Sequence, residues 1–356
     1  MLLQEDLHPT GALRTGPSIL IGAGGTGGHI YPGLALAAAI LRARPDARID
    51  FTGTERGLER RLVTHYPLHT VDMVPMIKSE TLRFPAALLR ASLQCRDLIR
   101  ETRAQVVVGM GGYSSAPLIA GARLAGVPAL VHESNAVPGR ANRFSAALTP
   151  HVALAMPSAG LRGRVVGMPL MPGLLGASRA EARQSYGVAD HVKLIIVNGG
   201  SAGAVRLNAA AVELAHRWRD RDDVRIVIKA GAEGADLLNE RLPDTGIAAA
   251  VPYLERMDLA YAAADLMICR SGSATVAELD VCGMPAVLVP YPHAPHDHQT
   301  RNARTLEQAV VLPDGDLSGA ALASAIAALP PRKAAHDSPH ADAADRLAAW
   351  TLELIK

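Results

Sequence analysis

A histidine closes a run of glycines, Gly22-Ala-Gly-Gly-Thr-Gly-Gly-His29, which follows the apolar stretch Ile19-Leu20-Ile21 and leads into an alanine- and leucine-rich segment over 30–40. Read as strand, turn and helix, this stretch has the parts of a diphosphate receptor. Glycines take positive φ and let a ligand approach the peptide plane, and a helix start offers unpaired N–H groups at a positive dipole end. Thr26 and His29 stand at the mouth of the turn, where a hydroxyl and an imidazole can face whatever the glycines admit. Two other readings stay open. The glycines can simply turn a buried strand into a helix, and the spacing Gly22-x-Gly24-x-x-Gly27 also satisfies the dinucleotide fingerprint of a nicotinamide enzyme.

Further along, Val106-Val-Val-Gly109 reads as a short buried strand followed by a second glycine loop, Gly111-Gly112-Tyr113-Ser114-Ser115. The next strand, Ala129-Leu-Val-His132, delivers Glu133, Ser134 and Asn135 to the same edge. Ligands of open parallel sheets collect at the carboxyl ends of the strands, so one rim gathers His29, Tyr113, His132, Glu133 and Asn135. The opening pattern then returns as Lys193-Leu-Ile-Ile-Val197, Asn198-Gly-Gly-Ser-Ala-Gly203 and a helix over 205–217. Finally, Leu266-Met-Ile-Cys269 ends in Arg270-Ser-Gly-Ser-Ala-Thr-Val-Ala-Glu278, a turn entering a helix whose first residues are small and hydroxylated. Glu278 either complements the helix dipole or accepts both hydroxyls of a ribose, and Ser271, Ser273 and Thr275 are caps or anion ligands. A cleft between two such domains would set both helix starts over one departing diphosphate, which is what transfer from a nucleotide sugar requires. Two clusters invite a metal assignment that their context disfavours. His293, His296, Asp297 and His298 lie on a proline-rich loop, and Asp314-Gly-Asp316 reads as turn and cap.

The elements that must position these groups alternate between strand and helix, the pattern of a parallel sheet. At 356 residues the chain exceeds what one core usually serves. The boundaries expected are a loose tail over 1–17, a first domain over 18–167, a second over 168–335 and a terminal helix over 336–356, with Ser338 as its N-cap. Val71–Ile77 reads as the third strand, and 85–102 as a helix with Leu88, Leu89, Ser92, Leu93 and Ile99 facing inward. A formal charge of +2 with scattered basic residues argues against nucleic acid. Cys95, Cys269 and Cys282 lack paired spacing, which argues for reduced core cysteines rather than a disulfide frame or zinc site. The first seventeen residues do not resemble a secretion signal, and no apolar run approaches the roughly 20 residues of a membrane span. Val74-Pro-Met-Ile77 with Lys78, followed by Leu82-Arg83-Phe84-Pro85, is either core and rim or a patch that rests on an anionic membrane surface.

Six strings carry a resemblance: Gly24-Gly-Thr-Gly-Gly-His-Ile-Tyr-Pro-Gly-Leu-Ala35, Gly109-Met-Gly-Gly-Tyr113, His132-Glu-Ser-Asn135, Gly199-Gly-Ser-Ala-Gly203, Cys269 to Glu278, and His298-Gln-Thr-Arg-Asn-Ala303. In order and spacing, from about Ile19 to about Pro313, they are similar to the signatures of the MurG family of peptidoglycan N-acetylglucosaminyltransferases. The resemblance implies an α/β protein of GT-B fold. Two Rossmann-like parallel-sheet domains would face each other across a cleft, with the C-terminal helix crossing back towards the first. It implies an inverting transfer of N-acetylglucosamine from UDP-N-acetylglucosamine to the 4-hydroxyl of undecaprenyl-diphosphate-linked MurNAc-pentapeptide. This would take place at the cytoplasmic face of the membrane, by a peripheral enzyme that needs neither cofactor nor metal.

Carried over by motif position, His29 would be the base, with Glu133 in support. Thr26, Gly27, Gly28, Asn135, Ser201, Leu254, Arg270, Ser273, Ala274, Thr275, Val276, Ala277, Glu278 and Gln299 would contact the donor. Gly111, Gly112, Tyr113, His132 and Asn142 would line the acceptor side, and Asn208 matches a further position that the family uses. One departure concerns the linker, where the family usually continues Asn-Pro-Val-Arg and this chain has Met168-Pro-Leu-Met171, so a donor-site arginine is replaced by Met171. His298 likewise stands where a second glutamine can occur. The rival readings are a nicotinamide dehydrogenase and a nucleotide-sugar or lipid binder without turnover.

Overall fold

In the computed structural model, which describes residues 16–54, 58–72, 84–200, 204–334 and 338–355, the alternating pattern folds into two parallel sheets, each in its own unit. The units are Met1–Pro172 with Pro339–Lys356, and Gly173–Ser338. The first runs β1 (Ser18–Gly22), α1 (Gly27–Ala43), β2 (Arg48–Gly53), α2 (Glu59–Leu62), β3 (Leu68–Thr70), α3 (Phe84–Glu101), β4 (Val106–Gly109), α4 (Ser115–Ala125), β5 (Ala129–Glu133), α5 (Arg140–Ala146), β6 (His151–Leu154) and β7 (Arg164–Val165). Its strands lie in the order β3-β2-β1-β4-β5-β6-β7, every pair parallel. Every residue of β1, β4 and β5 is buried, as expected of strands covered by helices on both faces. The winding reverses between β1 and β4, so the two glycine loops leave adjacent strands at the place where open sheets bind ligands.

The second unit repeats this plan with α6 (Arg179–Ser185), β8 (Lys193–Asn198), α7 (Val205–Arg217), β9 (Val224–Lys229), α8 (Ala235–Asn239), β10 (Ala248–Val251), α9 (Met257–Ala263), β11 (Leu266–Cys269), α10 (Ser273–Val281), β12 (Ala286–Leu288), α11 (His298–Ala303), β13 (Ala309–Val311) and α12 (Gly319–Ala327). The order is β10-β9-β8-β11-β12-β13, again all parallel, with the reversal between β8 and β11. Two helix starts are capped as their sequences suggest. Ser178 accepts a hydrogen bond from the Glu181 amide and Ser318 from that of Ala321. The last helix, α13 (Ala343–Glu353), belongs to the first unit, where it packs along α1 with Leu347, Ala348 and Trp350 on the core and an Arg42–Asp345 ion pair of 2.7 Å at the rim.

Several expectations need correction. Ser338 is not an N-cap: α13 begins only at Ala343, and the Ser338 hydroxyl donates to Asp280 at 2.5 Å, so a short loop precedes the helix. The third strand is Leu68–Thr70, set just before Val71; residues 73–77 lie outside the described residues. Strand β6 and the edge strand β7 had no counterpart in the sequence reading. Within α3, Leu88 is only partly buried and Leu89 and Leu93 are exposed, 60% and 37%, while Ala91, Ser92, Cys95 and Ile99 form the inner face. Cys95, Cys269 and Cys282 are free, buried thiols, and burial pushes each up to about 12.

Candidate active site

In the first unit the glycine loop between β1 and α1 is filled by the protein itself at its start, and stays open at Gly28, where the nearest atom to a Cβ is Thr26 Oγ1 at 3.7 Å. A Cβ on Gly24 would lie 2.3 Å from Ser114 Oγ and 2.4 Å from Glu59 Oε1, and one on Gly22 would lie 2.7 Å from Leu118 Cδ2. Gly25 takes φ +89° and donates its amide to Glu59 Oε1 at 3.0 Å. The same oxygen receives the Thr54 amide and hydroxyl, so Glu59, with no exposed surface, ties the end of β2 to the loop. Thr26 occupies the N-cap position of α1 with extended backbone, and its carbonyl takes the His29 and Ile30 amides. Its hydroxyl lies 3.3 Å from His29 Nδ1 rather than capping the helix.

The His29 ring lies against the second loop. Gly111 and Gly112 adopt φ of +103° and +80°, and a Cβ on Gly111 would come 2.9 Å from His29 Cδ2 and 3.3 Å from Asn142 Nδ2. A Cβ on Gly112 would come 2.8 Å from the Gly24 carbonyl. Tyr113 borders Gly25. Thr26, His29, Gly111, Gly112, Tyr113 and Asn142 are thus brought together at one rim.

Glu133 closes the carboxyl end of β5, where Oε1 accepts the Asn135 amide and side chain and Oε2 accepts from Gly139 N at 3.2 Å and Asn142 Nδ2 at 2.9 Å. With 2% exposure and both oxygens engaged, it organises the 134–139 turn. The expectation that His132 lines the acceptor side is corrected: it has no accessible surface, and Nε2 bonds the Gly167 carbonyl at 3.1 Å. Burial lowers its pKa to about 4, so it is a neutral ring tying β5 to the 166–168 segment. That segment is held in turn by His340, which accepts the Met168 amide, and by Arg346 on the Val166 carbonyl. Met171 packs against the apolar core of this unit.

The second unit differs. Gly200 takes φ +89°, and among the described residues nothing lies within 4 Å of where a Cβ would stand. Asn198 Oδ1 accepts its amide, and Lys229 Nζ donates to its carbonyl at 2.6 Å. Ser201 lies outside the described residues. At the β11 end, Gly272 is the extended N-cap of α10. No side chain caps the helix and no acid stands in its first turn, so Ser273, Ala274, Thr275, Val276 and Ala277 follow an uncompensated positive end.

Glu278, on the second turn, receives the Tyr261 hydroxyl on Oε2 at 2.7 Å. Burial raises Glu278 to about 7, against the opposing pull of that hydrogen bond. Arg270 is committed elsewhere: it pairs with Asp314 at 2.7 Å, bonds the Val289 and Pro290 carbonyls and stacks on Tyr291. Arg270 thereby clamps the loop after β12. Gln299 receives the Tyr291 amide, Leu254 packs on the core, and Asn208 is buried on α7.

Sequence reasoning missed Glu59, Tyr261 and Asp314. Glu59 reads as an ordinary acid in a helical turn, Tyr261 as one more apolar residue of α9, and Asp314 as part of a turn, so no local signal separates them from bland neighbours.

Comparison with known proteins agrees with this arrangement unit by unit. Residues 19–153 match the glycosyltransferase family 28 N-terminal domain and residues 194–348 the glycosyltransferase family 28 C-terminal domain. A protein of Desulforudis audaxviator called UDP-N-acetylglucosamine–N-acetylmuramyl-(pentapeptide) pyrophosphoryl-undecaprenol N-acetylglucosamine transferase is 39% identical over 340 residues, 89% of this chain and 91% of that one. The protein of the same name in Saccharopolyspora erythraea is 44% identical over 306 residues, 83% of this chain and 80% of its own. Among solved structures, Acinetobacter baumannii MurG superposes with a TM-score of 0.76 at 26% identity, covering 95% of this chain and all of that one. A glycosyltransferase of kitacinnamycin, at 14% identity and TM-score 0.67, shares the fold.

Proposed function

The chain belongs to glycosyltransferase family 28, and within it to the MurG family; from that premise we propose that it moves N-acetylglucosamine from UDP-N-acetylglucosamine to the 4-hydroxyl of the N-acetylmuramyl group of undecaprenyl-diphosphate-linked MurNAc-pentapeptide. The observation that carries this reading is the open, uncapped start of α10 with a carboxylate on its next turn: a diphosphate and a ribose are what those two features suit.

The reaction is a single displacement with inversion. The acceptor oxygen attacks the anomeric carbon, its proton passes to the His29 imidazole, and the bond from that carbon to the β-phosphate oxygen breaks. UDP leaves with its negative charge held by the N–H groups that begin α10. Thr26 orients the His29 ring from one side, and the Gly111–Gly112 backbone supports it from the other. Glu133 acts as a positioning residue, since it holds Asn135 and Asn142 and spends both oxygens doing so. Glu278 takes the ribose hydroxyls.

No metal enters these steps, because helix end and backbone donors supply the electrophilic stabilisation; UDP release should therefore survive EDTA, and metal-dependent turnover would overturn that part. The acceptor's undecaprenyl chain resides in a bilayer, so the enzyme works at a membrane surface, which we place on the cytoplasmic side. No helix among the described residues is long and apolar enough to cross a membrane, and most of the apolar and basic 74–85 stretch lies outside them.

The test is UDP release on mixing UDP-N-acetylglucosamine with the lipid-linked acceptor. His29→Ala should lower turnover about 10²-fold or more while leaving UDP binding largely intact. Hydride transfer to a nicotinamide, or binding of UDP-N-acetylglucosamine without release, would reject the reading.

A further inference from the structure

Glu278 has a neighbour to which the reaction assigns no part. Tyr261, on α9, is 1% exposed and among the largest fully buried side chains of the protein, yet its hydroxyl is directed at a carboxylate rather than at backbone. Buried tyrosines need a partner for the hydroxyl, and here the partner is the group that faces the nucleoside. We propose that Tyr261 is a positioning residue for the nucleotide: its hydroxyl fixes one oxygen of Glu278, so that the buried carboxylate ionises more readily and its other oxygen is presented to the ribose diol. This rests on the reading of Glu278 as the ribose acceptor.

The surroundings give the contact its weight. The titratable groups that face Glu278 are Tyr261 from α9, Cys269 from the end of β11 and Cys282 just past α10, and burial keeps both thiols neutral at any working pH. Asp258, three residues before Tyr261 on α9, is held by Arg256 in a 2.6 Å ion pair, and Arg332 lies against Cys282. Among the described residues no cation pairs with Glu278, so the Tyr261 hydroxyl is the one group recorded as favouring its charged form. Burial pushes the Tyr261 phenol well above its ordinary value, which keeps it a donor throughout. With Oε2 held by Tyr261, the free oxygen accepts both ribose hydroxyls best when the carboxylate is ionised, because a proton on that oxygen turns it into a donor and displaces one of the two hydrogen bonds. Glu278 titrates at about 7, so the position of that midpoint decides how much of the enzyme is competent for the donor near neutrality.

The experiment is calorimetric titration of the full chain with UDP and with UDP-N-acetylglucosamine between pH 5.5 and 9. Wild type should bind more tightly as pH rises through about 7 and then level off. Tyr261→Phe, which keeps the ring and removes the hydroxyl, should move the midpoint up by about one pH unit or more, with affinity lowered about tenfold below pH 7 and much less at pH 9. Tyr261→Met serves as a second apolar replacement, and melting curves establish folding of each variant. In a Glu278→Gln background the pH dependence and the effect of Tyr261→Phe should both vanish. An unmoved midpoint in folded Tyr261→Phe, or an equal loss at every pH, overturns the proposal while leaving the functional reading intact. Failure of the wild type to bind either nucleotide overturns the functional reading itself, and this inference with it.

Discussion

The glycine turns of the two units look interchangeable in sequence and are opposite in structure. At Gly22 and Gly24 the space that glycine leaves is taken by protein, with Glu59, Ser114 and Leu118 closing on it and the Gly111–Gly112 turn closing on His29, while Gly27 and Gly28 meet only Tyr31 at 3.3 Å and Thr26 at 3.7 Å. Among the described residues, Gly200 and Gly272 are open, with nothing within 4 Å of one Cβ position and only Thr275 Oγ1, at 4.0 Å, near the other. A glycine-rich turn therefore has two uses. In the first unit it lets backbone and side chains pack tightly enough to hold an imidazole in place, and in the second it leaves room for a ligand.

The sharpest way to break this contrast is to add atoms to each loop. Gly24→Val should cost about 3 kcal/mol or more in stability, since its Cβ already overlaps Ser114 and the buried Glu59 carboxylate. Gly272→Ala should leave the melting temperature within the range of a surface change, because φ −61° and ψ 146° suit alanine and its Cβ meets nothing closer than 4.0 Å. It should nevertheless raise the donor KM about tenfold by crowding the start of α10. Equal melting temperatures for the two variants would show that the first loop yields as readily as the second.

The two units also carry opposite pH signatures. His132 is held neutral, its pKa lowered from 6.5 to about 4, so the unfolded chain binds the extra proton and stability is lost as pH falls from about 6.5 to 4, by about 3 kcal/mol at the low end. Glu278 is raised from 4.5 to about 7, so its contribution is present below pH 4.5 and lost as pH rises to about 7; residual solvent contact makes this the smaller effect, roughly 2 kcal/mol. Denaturant unfolding of wild type against His132→Gln and Glu278→Gln isolates each term. A His132→Gln profile parallel to wild type between pH 6.5 and 4 would remove the neutral core histidine from the account.

Most of the architecture was legible because it is written in local pattern. Apolar runs of three or four residues leading into glycine-containing turns announced β1, β4, β8 and β11, and the returning Asn198-Gly-Gly motif announced a second copy of the plan. The residues that could do chemistry were legible by type, but not the environments that decide their roles. Nothing near His132 in sequence says that Gly167, 35 residues away, will bury it, and nothing near Arg270 says that Asp314 will claim its charge. Glu59 and Tyr261 stayed hidden for the same reason: each acts on a loop or helix distant in sequence, and only tertiary packing makes the partner.

The smallest expected effect tests how the open loop is kept in shape. Lys229 ends β9 in register with Asn198, its Nζ 2.6 Å from the Gly200 carbonyl and 6.0 Å from the centroid of the Tyr253 ring. Among the described residues it has no carboxylate partner, and partial burial lowers its pKa from the ordinary lysine value. Replacing it with methionine removes one charged hydrogen bond but also a desolvated charge, and the two nearly cancel, leaving a stability change below about 1 kcal/mol. Gly200 sits at φ +89° with no described residue packed on it, so losing one of the two tethers seen among the described residues should loosen the loop and raise the donor KM about threefold to tenfold at nearly constant kcat. Lys229→Arg should fall between the two. An unchanged KM in Lys229→Met would mean that Asn198 alone sets the loop, and that an open glycine turn needs less support than a packed one.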